Sequence, residues 1–235
     1  DITQVKADIL LMENHMSIYN LTDTLIQNGY RNLAFAGDPE HCRSFAERYQ
    51  GFKHALSENN LTPFTAQFTG RTVFDTPDTL AETVRRTLQF PDAFICANDF
   101  VAIDLIRTLR KQGFKVPDDI LVTGFDNSDE SRIIEPHLTT VEIPSSKMGY
   151  IAADMLLSRI SEPDTPYRIM HVQTALKYRA STGKLKNNMF CNFKKGVPAE
   201  DSFFPPGTPF SIFIFGFDGP LFLNISAAFH TDHMK

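Results

Sequence analysis

The sequence has little that would cross-link the chain or hold a metal. Its three cysteines, Cys42, Cys96 and Cys191, lie far apart, and none belongs to a C-x-x-C pair. This spacing argues against a disulfide framework and a structural zinc site, and it favours a reducing compartment. The chain begins with Asp1 and has no charged-then-apolar leader, so we expect a processed product or a fragment.

An excess of basic charge and long apolar runs are lacking as well. Among 235 residues, 23 lysines and arginines stand against 28 acids, which gives a net charge of −5. Proteins that bind nucleic acid through its phosphates carry a basic excess or a basic face, so this chain alone is not expected to bind DNA. No apolar stretch approaches the roughly 18 residues of a membrane span, and we expect no membrane partner.

The recurrent catalytic motifs are missing too. The sequence contains no G-x-S-x-G, no H-E-x-x-H, no Walker phosphate loop and no G-x-G-x-x-G. His230 and His233 lie three residues apart without further ligands, which favours a solvated tail over a metal site. We therefore expect no enzyme activity, no cofactor and no metal.

What is present is an alternation of strand and helix patterns in a chain of globular composition, with 42% apolar and 22% charged residues. Short continuous apolar runs predict buried strands, and amphipathic segments between them predict helices. The predicted strands are 33–37, 64–68, 94–97, 120–124 and 138–143, with β-rich runs at 168–173 and 175–179. The predicted helices are 9–26, with a break near Ser17 as the alternative, 44–56, 77–88, 101–111 and a last one that Ser145 or Ser146 caps, with Met148, Ala152, Met155, Leu156 and Ile160 on its inner face. This pattern predicts a doubly wound α/β fold, in which helices cover both faces of a parallel sheet.

Polar residues follow three of the predicted strands, namely Asp38, Asn98-Asp99 and Asp126-Asn127. Open parallel sheets bind ligands beyond the carboxyl ends of their strands, where loops and helix N-termini converge. Carboxylates and amides near an arginine suit a polyhydroxylated or purine-like ligand, because a carboxylate accepts two hydroxyl protons and a guanidinium offers a rigid fork of donors. Capping of the next helix is the alternative role for such residues, and both roles can hold together.

Six ordered motifs between residues 28 and 182 carry a family resemblance. They are NGYRNLAFAG (28–37), ERYQGF (47–52), AND (97–99), VPDDI with TGFDN (116–127), PHLTTV with Pro144, Met148 and Gly149 (136–149), and RAST (179–182). With these motifs the chain resembles the ligand-sensing core of the LacI/GalR family of bacterial transcription regulators.

The resemblance implies a periplasmic-binding-protein-like core of two lobes that closes on a small effector, behind an N-terminal helix-turn-helix that binds an operator. It implies that Arg48, Asn98 and Asp126 touch the effector, with Ser44 and Arg43 nearby. The resemblance also divides the chain into three parts. Residues 1–30 are the end of the first lobe, and residues 31–182 are the effector-binding core, which is mainly the second lobe, with 138–160 crossing back to the first. Residues 183–235 are a tail rich in Phe and Pro that we expect to be peripheral and partly disordered. The helix-turn-helix and the opening half of the first lobe are then absent, so one lobe is nearly complete and the other partial.

The expected function is sensing of a small effector, a sugar or related metabolite, by a cytoplasmic regulator whose operator binding the effector modulates. Operator DNA is then bound only through the missing N-terminal domain. The predicted helix 9–26 and the predicted helix from Met148 to Ile160 present apolar faces that a single lobe cannot both bury, which suggests a homodimer in the intact protein. The alternative is that these faces only pack within the lobe. A sugar-uptake receptor of the same fold is the runner-up, and an α/β enzyme is an alternative for which no catalytic constellation is present.

Overall fold

A computed structural model describes residues 6–185 and, beyond them, only the backbone of two short strands. These strands, Ile214–Gly216 and Gly219–Leu221, pair antiparallel. The chain divides into two units, residues 1–189 and 190–235. The predicted disorder of the Phe- and Pro-rich tail concerns residues that lie outside the described ones.

Strands and helices alternate along the described chain. In order they are β1 (Ile9–Met12), α1 (His15–Gln27), β2 (Leu33–Ala36), α2 (Arg43–Glu58), α3 (Pro77–Arg86), β3 (Ala93–Cys96), α4 (Asp99–Lys111), β4 (Leu121–Thr123), α5 (Glu130–Ile133), β5 (Thr140–Glu142), α6 (Ser145–Ser161), β6 (Ile169–Val172) and β7 (Ala175–Lys177), with 3-10 turns at Arg71–Phe74 and Ala180–Thr182. The helix starts reflect their sequences: α3, for example, begins at Pro77 behind Thr76, whose hydroxyl accepts a hydrogen bond from the backbone N–H of Thr79.

Three parallel strands form the central sheet, in the order β2-β3-β4. Their register sets Ala93 beside both Leu33 and Leu121. Every residue of these strands is buried, as their continuous apolar runs predicted, because a parallel sheet is covered on both faces.

Helices cover both faces of this sheet, and successive strand residues alternate between the two faces. The residues that cluster with α1 and α2 include Leu33, Phe35, Ile95, Leu21 and Phe52. Those that cluster with α3 and α4 include Ala34, Phe94, Val122, Leu80 and Ile106. The doubly wound α/β prediction is confirmed.

Two further strand pairs complete the described fold. β1 and β6 run parallel, and β5 and β7 run antiparallel. The carboxylate of Asp8 ties the first pair to α6, because it accepts hydrogen bonds from Arg159 (Nη2 to Oδ1, 3.0 Å) and from the backbone N–H of Arg168 (2.8 Å). Hydrogen bonds from the two arginine side chains, from Arg159 above all, hold the pKa of this carboxyl well below its ordinary value.

Two predicted elements are wrong. The segment 9–26 is not one helix, since Ile9–Met12 forms β1 and the helix begins only at His15. Apolar spacing over so few residues fits a strand as well as a helix, and the pairing partner β6 lies at the far end of the described chain. The predicted strand 64–68 is absent: the segment contributes a buried Phe68, and the next residue, Thr69, forms one isolated bridge with Gly37.

The apolar faces of α1 and α6 have different surroundings. The apolar face of α1 is buried against the central sheet. On α6 only Met155 is buried, whereas Leu156 and Ile160 are 60% and 68% exposed, so the predicted inner face is wrong for them. Neither predicted serine caps the helix, because Pro144 occupies the N-cap position without a side-chain bond. Among the described residues, no helix combines the length and apolar character needed to cross a bilayer.

Candidate functional site

The carboxyl ends of β2, β3 and β4 lie side by side, because the three strands are adjacent and parallel. The polar residues that follow these strands are therefore brought to one edge of the sheet, although they lie far apart in sequence. Asp38 follows β2, Asn98 follows β3 and Asp126 follows β4. This is the edge at which open parallel sheets bind ligands.

Arg48 of α2 is buried at this edge, with a relative exposure of 3%. Its Nε donates to Asn14 Oδ1 (3.0 Å) and its Nη1 donates to the carbonyl oxygen of Ala97 (2.6 Å). Its Nη2 lies 3.5 Å from Asp126 Oδ1, and its Cζ lies 3.6 Å from the ring centroid of Phe125. Burial lowers the pKa of Arg48 and the facing carboxylate opposes that effect. The result is a fixed, largely desolvated cation whose Nη2 faces the crevice carboxylate.

The backbone at Asp126 has a conformation that residues other than glycine rarely adopt. Its φ is 116°, that of Asn127 is 55°, and its backbone N–H donates to the carbonyl oxygen of Val141 (2.9 Å). Positive φ at non-glycine residues costs about 1–3 kcal/mol each and clusters at functional sites. Burial raises the pKa of the Asp126 carboxyl from 3.8 to about 6, against the opposing effect of Arg48. A strained, partly exposed carboxyl with a raised pKa is typical of a binding crevice.

Asp99 positions the loop that carries Asp126. Its buried carboxylate accepts hydrogen bonds from Thr140 Oγ1 (2.6 Å) and the backbone N–H of Ser128 (2.8 Å), and its own N–H donates to the carbonyl oxygen of Phe125 (2.8 Å). Burial raises the pKa of Asp99, and these hydrogen bonds oppose the rise. Gly124 leaves room for this carboxylate, since a Cβ there would lie 2.2 Å from Asp99 Oδ1.

Arg179, the first residue of the RAST motif, supports the same loop from the other side. Its Nη2 donates to Asn127 Oδ1. Its Nη1 donates to the carbonyl oxygen of Leu138 (2.8 Å) and to Ser131 Oγ (3.1 Å). Two motifs that are distant in sequence therefore stabilise one turn.

Comparison with known proteins shows the family to which this fold belongs. A family profile described as a periplasmic binding protein-like domain matches residues 22–182. The chain belongs to the periplasmic binding protein-like family. Within that family it is of the LacI/GalR type, as its motifs indicate and as the following relatives confirm.

The HTH-type transcriptional repressor PurR of Histophilus somni is 33% identical over 180 residues, which are 75% of this chain and 54% of that protein. A LacI-type transcription regulator from Bifidobacterium animalis subsp. lactis is 29% identical with a TM-score of 0.64, over 74% of this chain and 67% of that one. The complex of the transcriptional regulator CelR with cellobiose is 28% identical with a TM-score of 0.65, over 75% of this chain and 54% of that one. The chain spans about half the length of the curated relatives it matches.

On this LacI/GalR-type fold, the predicted effector residues divide into two groups. Arg48 and Asp126 face each other, and Asn98 directly follows Ala97, whose carbonyl oxygen binds Arg48. Asn98 also caps α4, because its Oδ1 accepts a hydrogen bond from the backbone N–H of Val101 (2.9 Å). Its amide nitrogen has no partner among residues 6–185 and is available to a ligand.

The other two predicted residues lie on the first turn of α2. Ser44 is half-buried and lies one turn before Arg48 on the same face of the helix. Arg43 is exposed, and its Nε binds Glu47 Oε1 at 2.6 Å. Arg43 thus contacts Glu47 rather than Asp126.

Asn14 is a site residue that the sequence did not indicate. Its side chain joins α1 to α2, since its Oδ1 accepts from Arg48 and its Nδ2 donates to Glu47 Oε2 (2.9 Å). An asparagine that directly precedes a helix is a recognisable start signal. The prediction of one helix over 9–26 concealed that signal.

A cavity of about 650 Å³ lies beside the end of β2. Its lining includes Asp38, Glu40, His41, Tyr49, Thr69 and Arg71, but neither Arg48 nor Asp126. The cavity and the Arg48–Asp126 pair are therefore neighbouring features of the sheet edge rather than one pocket.

Two findings bear on metal and thiol chemistry in the described residues. No group of three or more His, Cys, Asp or Glu side chains among them could hold a metal. Cys96 is buried, and burial raises its pKa well above the ordinary value, which makes it a poor nucleophile at neutral pH.

Proposed function

We propose that this chain is the effector-sensing part of a LacI/GalR-type transcription regulator. The observation that carries the proposal is the buried guanidinium of Arg48 facing the carboxylate of Asp126 at the ligand-binding edge of the sheet. Asp99 and Arg179 hold the loop of Asp126 in place. Buried charge and backbone strain destabilise the free protein, and they are expected where they strengthen the binding of a ligand.

The chemistry of the edge suits a polyhydroxylated effector. The long contact to Arg48 leaves most of the acceptor capacity of Asp126 unused, and a carboxylate accepts two adjacent hydroxyl groups well. The Nη atoms of Arg48 and the amide nitrogen of Asn98 supply donors. The structure of the relative CelR contains cellobiose, which supports a sugar or a related metabolite as the class of effector. A purine-like heterocycle also fits this chemistry, because its N–H groups can donate to the carboxylate as hydroxyl groups do.

The remaining roles follow from the family type and are part of the proposal. The regulator acts in the cytoplasm as a homodimer, without a catalytic role. It binds operator DNA through an N-terminal helix-turn-helix domain, and the effector alters that binding. For the dimer, the exposed face of α6, with Leu156 and Ile160, supplies an apolar surface.

Calorimetric titration of the full-length protein with a panel of mono- and disaccharides tests the proposal. Each charge-assisted hydrogen bond contributes about 1.5–3 kcal/mol, so Asp126→Ala should weaken effector binding about 10-fold to several thousand-fold. Asp129→Ala, on the exposed part of the same loop, is the matched control and should bind normally. Unchanged affinity in Asp126→Ala would remove Asp126 from the site.

Gel shifts with DNA from upstream of the gene distinguish a regulator from an uptake receptor. An operator complex that the bound sugar strengthens or weakens supports the regulator. Binding of sugar without any operator complex would contradict it. Sedimentation of the full-length protein as a monomer at micromolar concentration would contradict the homodimer.

A further inference from the structure

Two histidines from different helices lie in direct contact on the surface formed by α1 and α2. His15 Nε2 and His54 Nδ1 are 3.0 Å apart, and their rings are inclined at 48°. Neither residue contacts Arg48 or Asp126. The pair therefore lies outside the proposed effector site.

A carboxylate sets the tautomer of His54. Glu58 Oε1 lies 3.2 Å from His54 Nε2, and a carboxylate can only accept, so Nε2 carries the hydrogen. In the neutral ring Nδ1 then holds the lone pair, and it points at His15. Glu58 is itself anchored by a hydrogen bond from the hydroxyl of Tyr19. A histidine oriented by a carboxylate through its other nitrogen is the arrangement found in metal sites.

The fold holds the two rings together. α2 passes so close to the first turn of α1 that a Cβ at Gly51 would lie 2.2 Å from the carbonyl oxygen of His15. The ring of Tyr19 packs against that of His54 with centroids 4.9 Å apart. Buried side chains fix both helices on the sheet, so little conformational entropy remains to be lost when a ligand bridges the rings.

We propose that His15 and His54 form a binding site for a divalent transition metal of tetragonal preference, copper(II) or nickel(II). At metal–nitrogen distances of about 2.0–2.1 Å, two nitrogens 3.0 Å apart subtend an angle of roughly 94° at the metal. This is near the right angle between neighbouring ligands in square-planar and octahedral geometry, whereas tetrahedral zinc needs a wider separation.

Binding requires a change of tautomer in His15 and a rotation of both rings. His15 moves its hydrogen from Nε2 to Nδ1, so no net proton is released from the neutral pair. Both rings turn until their lone pairs meet at one point that lies off the line joining the two nitrogens, and their partial exposure leaves room for this rotation. Water fills the remaining positions, and Glu58 stays hydrogen-bonded to His54 behind the metal.

Calorimetric titration with Ni²⁺ tests the site, because this ion does not oxidise the exposed thiol of Cys42. All proteins compared carry His230→Gln and His233→Gln, which removes the other closely spaced histidine pair of the sequence. His15→Gln and His54→Gln should each weaken Ni²⁺ binding at least about 10-fold. Glu58→Gln should weaken it about 10-fold, as loss of a supporting carboxylate does.

His137→Gln is the matched control, since His137 is half-exposed and likewise lies near a glutamate, Glu135. It should bind Ni²⁺ as the parent does. Melting curves with EDTA show whether each variant is folded, and the two histidines lie on separate helices, so misfolding of one variant leaves the other informative. Equal Ni²⁺ affinity in His15→Gln, His54→Gln and His137→Gln, or no binding by the parent at 1 mM Ni²⁺, would overturn the proposal.

Discussion

Replacement of Asp126 by asparagine should stabilise the folded chain at neutral pH. The carboxyl titrates at 3.8 in the unfolded chain and at about 6 in the folded one. Between these pH values the folded state binds more protons than the unfolded state, so the free energy of unfolding falls as the pH rises. The loss is nearly complete about one unit above the folded-state pKa, at about pH 7. Asparagine resembles the protonated carboxyl in shape and carries no charge at any of these pH values.

The size of the effect follows from the shift in pKa. A rise of about two units corresponds to about 3 kcal/mol at 1.36 kcal/mol per unit. The Asp126 side chain is 31% exposed, so water screens part of this cost and about half of it remains. For a chain of this size, about 1.5 kcal/mol raises the midpoint of thermal unfolding by about 3–6 °C.

Thermal melts of parent and variant between pH 4 and pH 8 measure this effect. The two midpoints should coincide near pH 4 and separate between pH 4 and pH 6, with the variant higher at pH 7.5. Asp129→Asn, an exposed substitution in the same loop, should leave the midpoint unchanged at every pH. A variant that is less stable than the parent at pH 7.5, or a difference independent of pH, would refute the reasoning. A carboxylate that destabilises the free protein is expected where it binds a ligand.

Three further substitutions test the supports of the site and the fold by urea unfolding at pH 7.5. Asp99→Ala removes the acceptor of the Ser128 N–H and the Thr140 hydroxyl and should cost about 2–4 kcal/mol; a cost below 1 kcal/mol would mean that water replaces the carboxylate. Gly124→Ala forces a Cβ to within 2.2 Å of Asp99 Oδ1 and should cost about 3 kcal/mol, so full stability would show that the loop shifts freely. Thr76→Ala removes the N-cap of α3 and should cost about 1 kcal/mol, whereas no change would show that solvent caps the helix equally well.

The central layers of this fold could be predicted from the amino-acid sequence. Continuous apolar runs at β2, β3 and β4 and helical periods between them require a parallel sheet covered on both faces, because each of these segments has to bury its apolar side. Gly29 marked the end of α1, and Thr76-Pro77 marked the start of α3. Both signals rest on the backbone preferences of these residues alone. The motifs also indicated Arg48 and Asp126 through the family resemblance. All of these signals act within a few residues of each other.

Which distant segments meet could not be predicted locally, because it depends on how the elements pack. The pairing of β1 with β6 turned an apolar segment of helical spacing into a strand, because strand pairing satisfies its backbone hydrogen bonds with a partner that no local pattern reveals. The same holds for Asn14, which reaches Arg48 only once α1 packs on α2, and for His15 and His54, which share one surface for that reason. The same holds for α6, where Leu156 and Ile160 are exposed. The apolar period of a helix indicates its apolar face, but it does not indicate which element covers that face. Local periodicity encodes the direction of each side chain, whereas contact between side chains depends on the packing of whole elements.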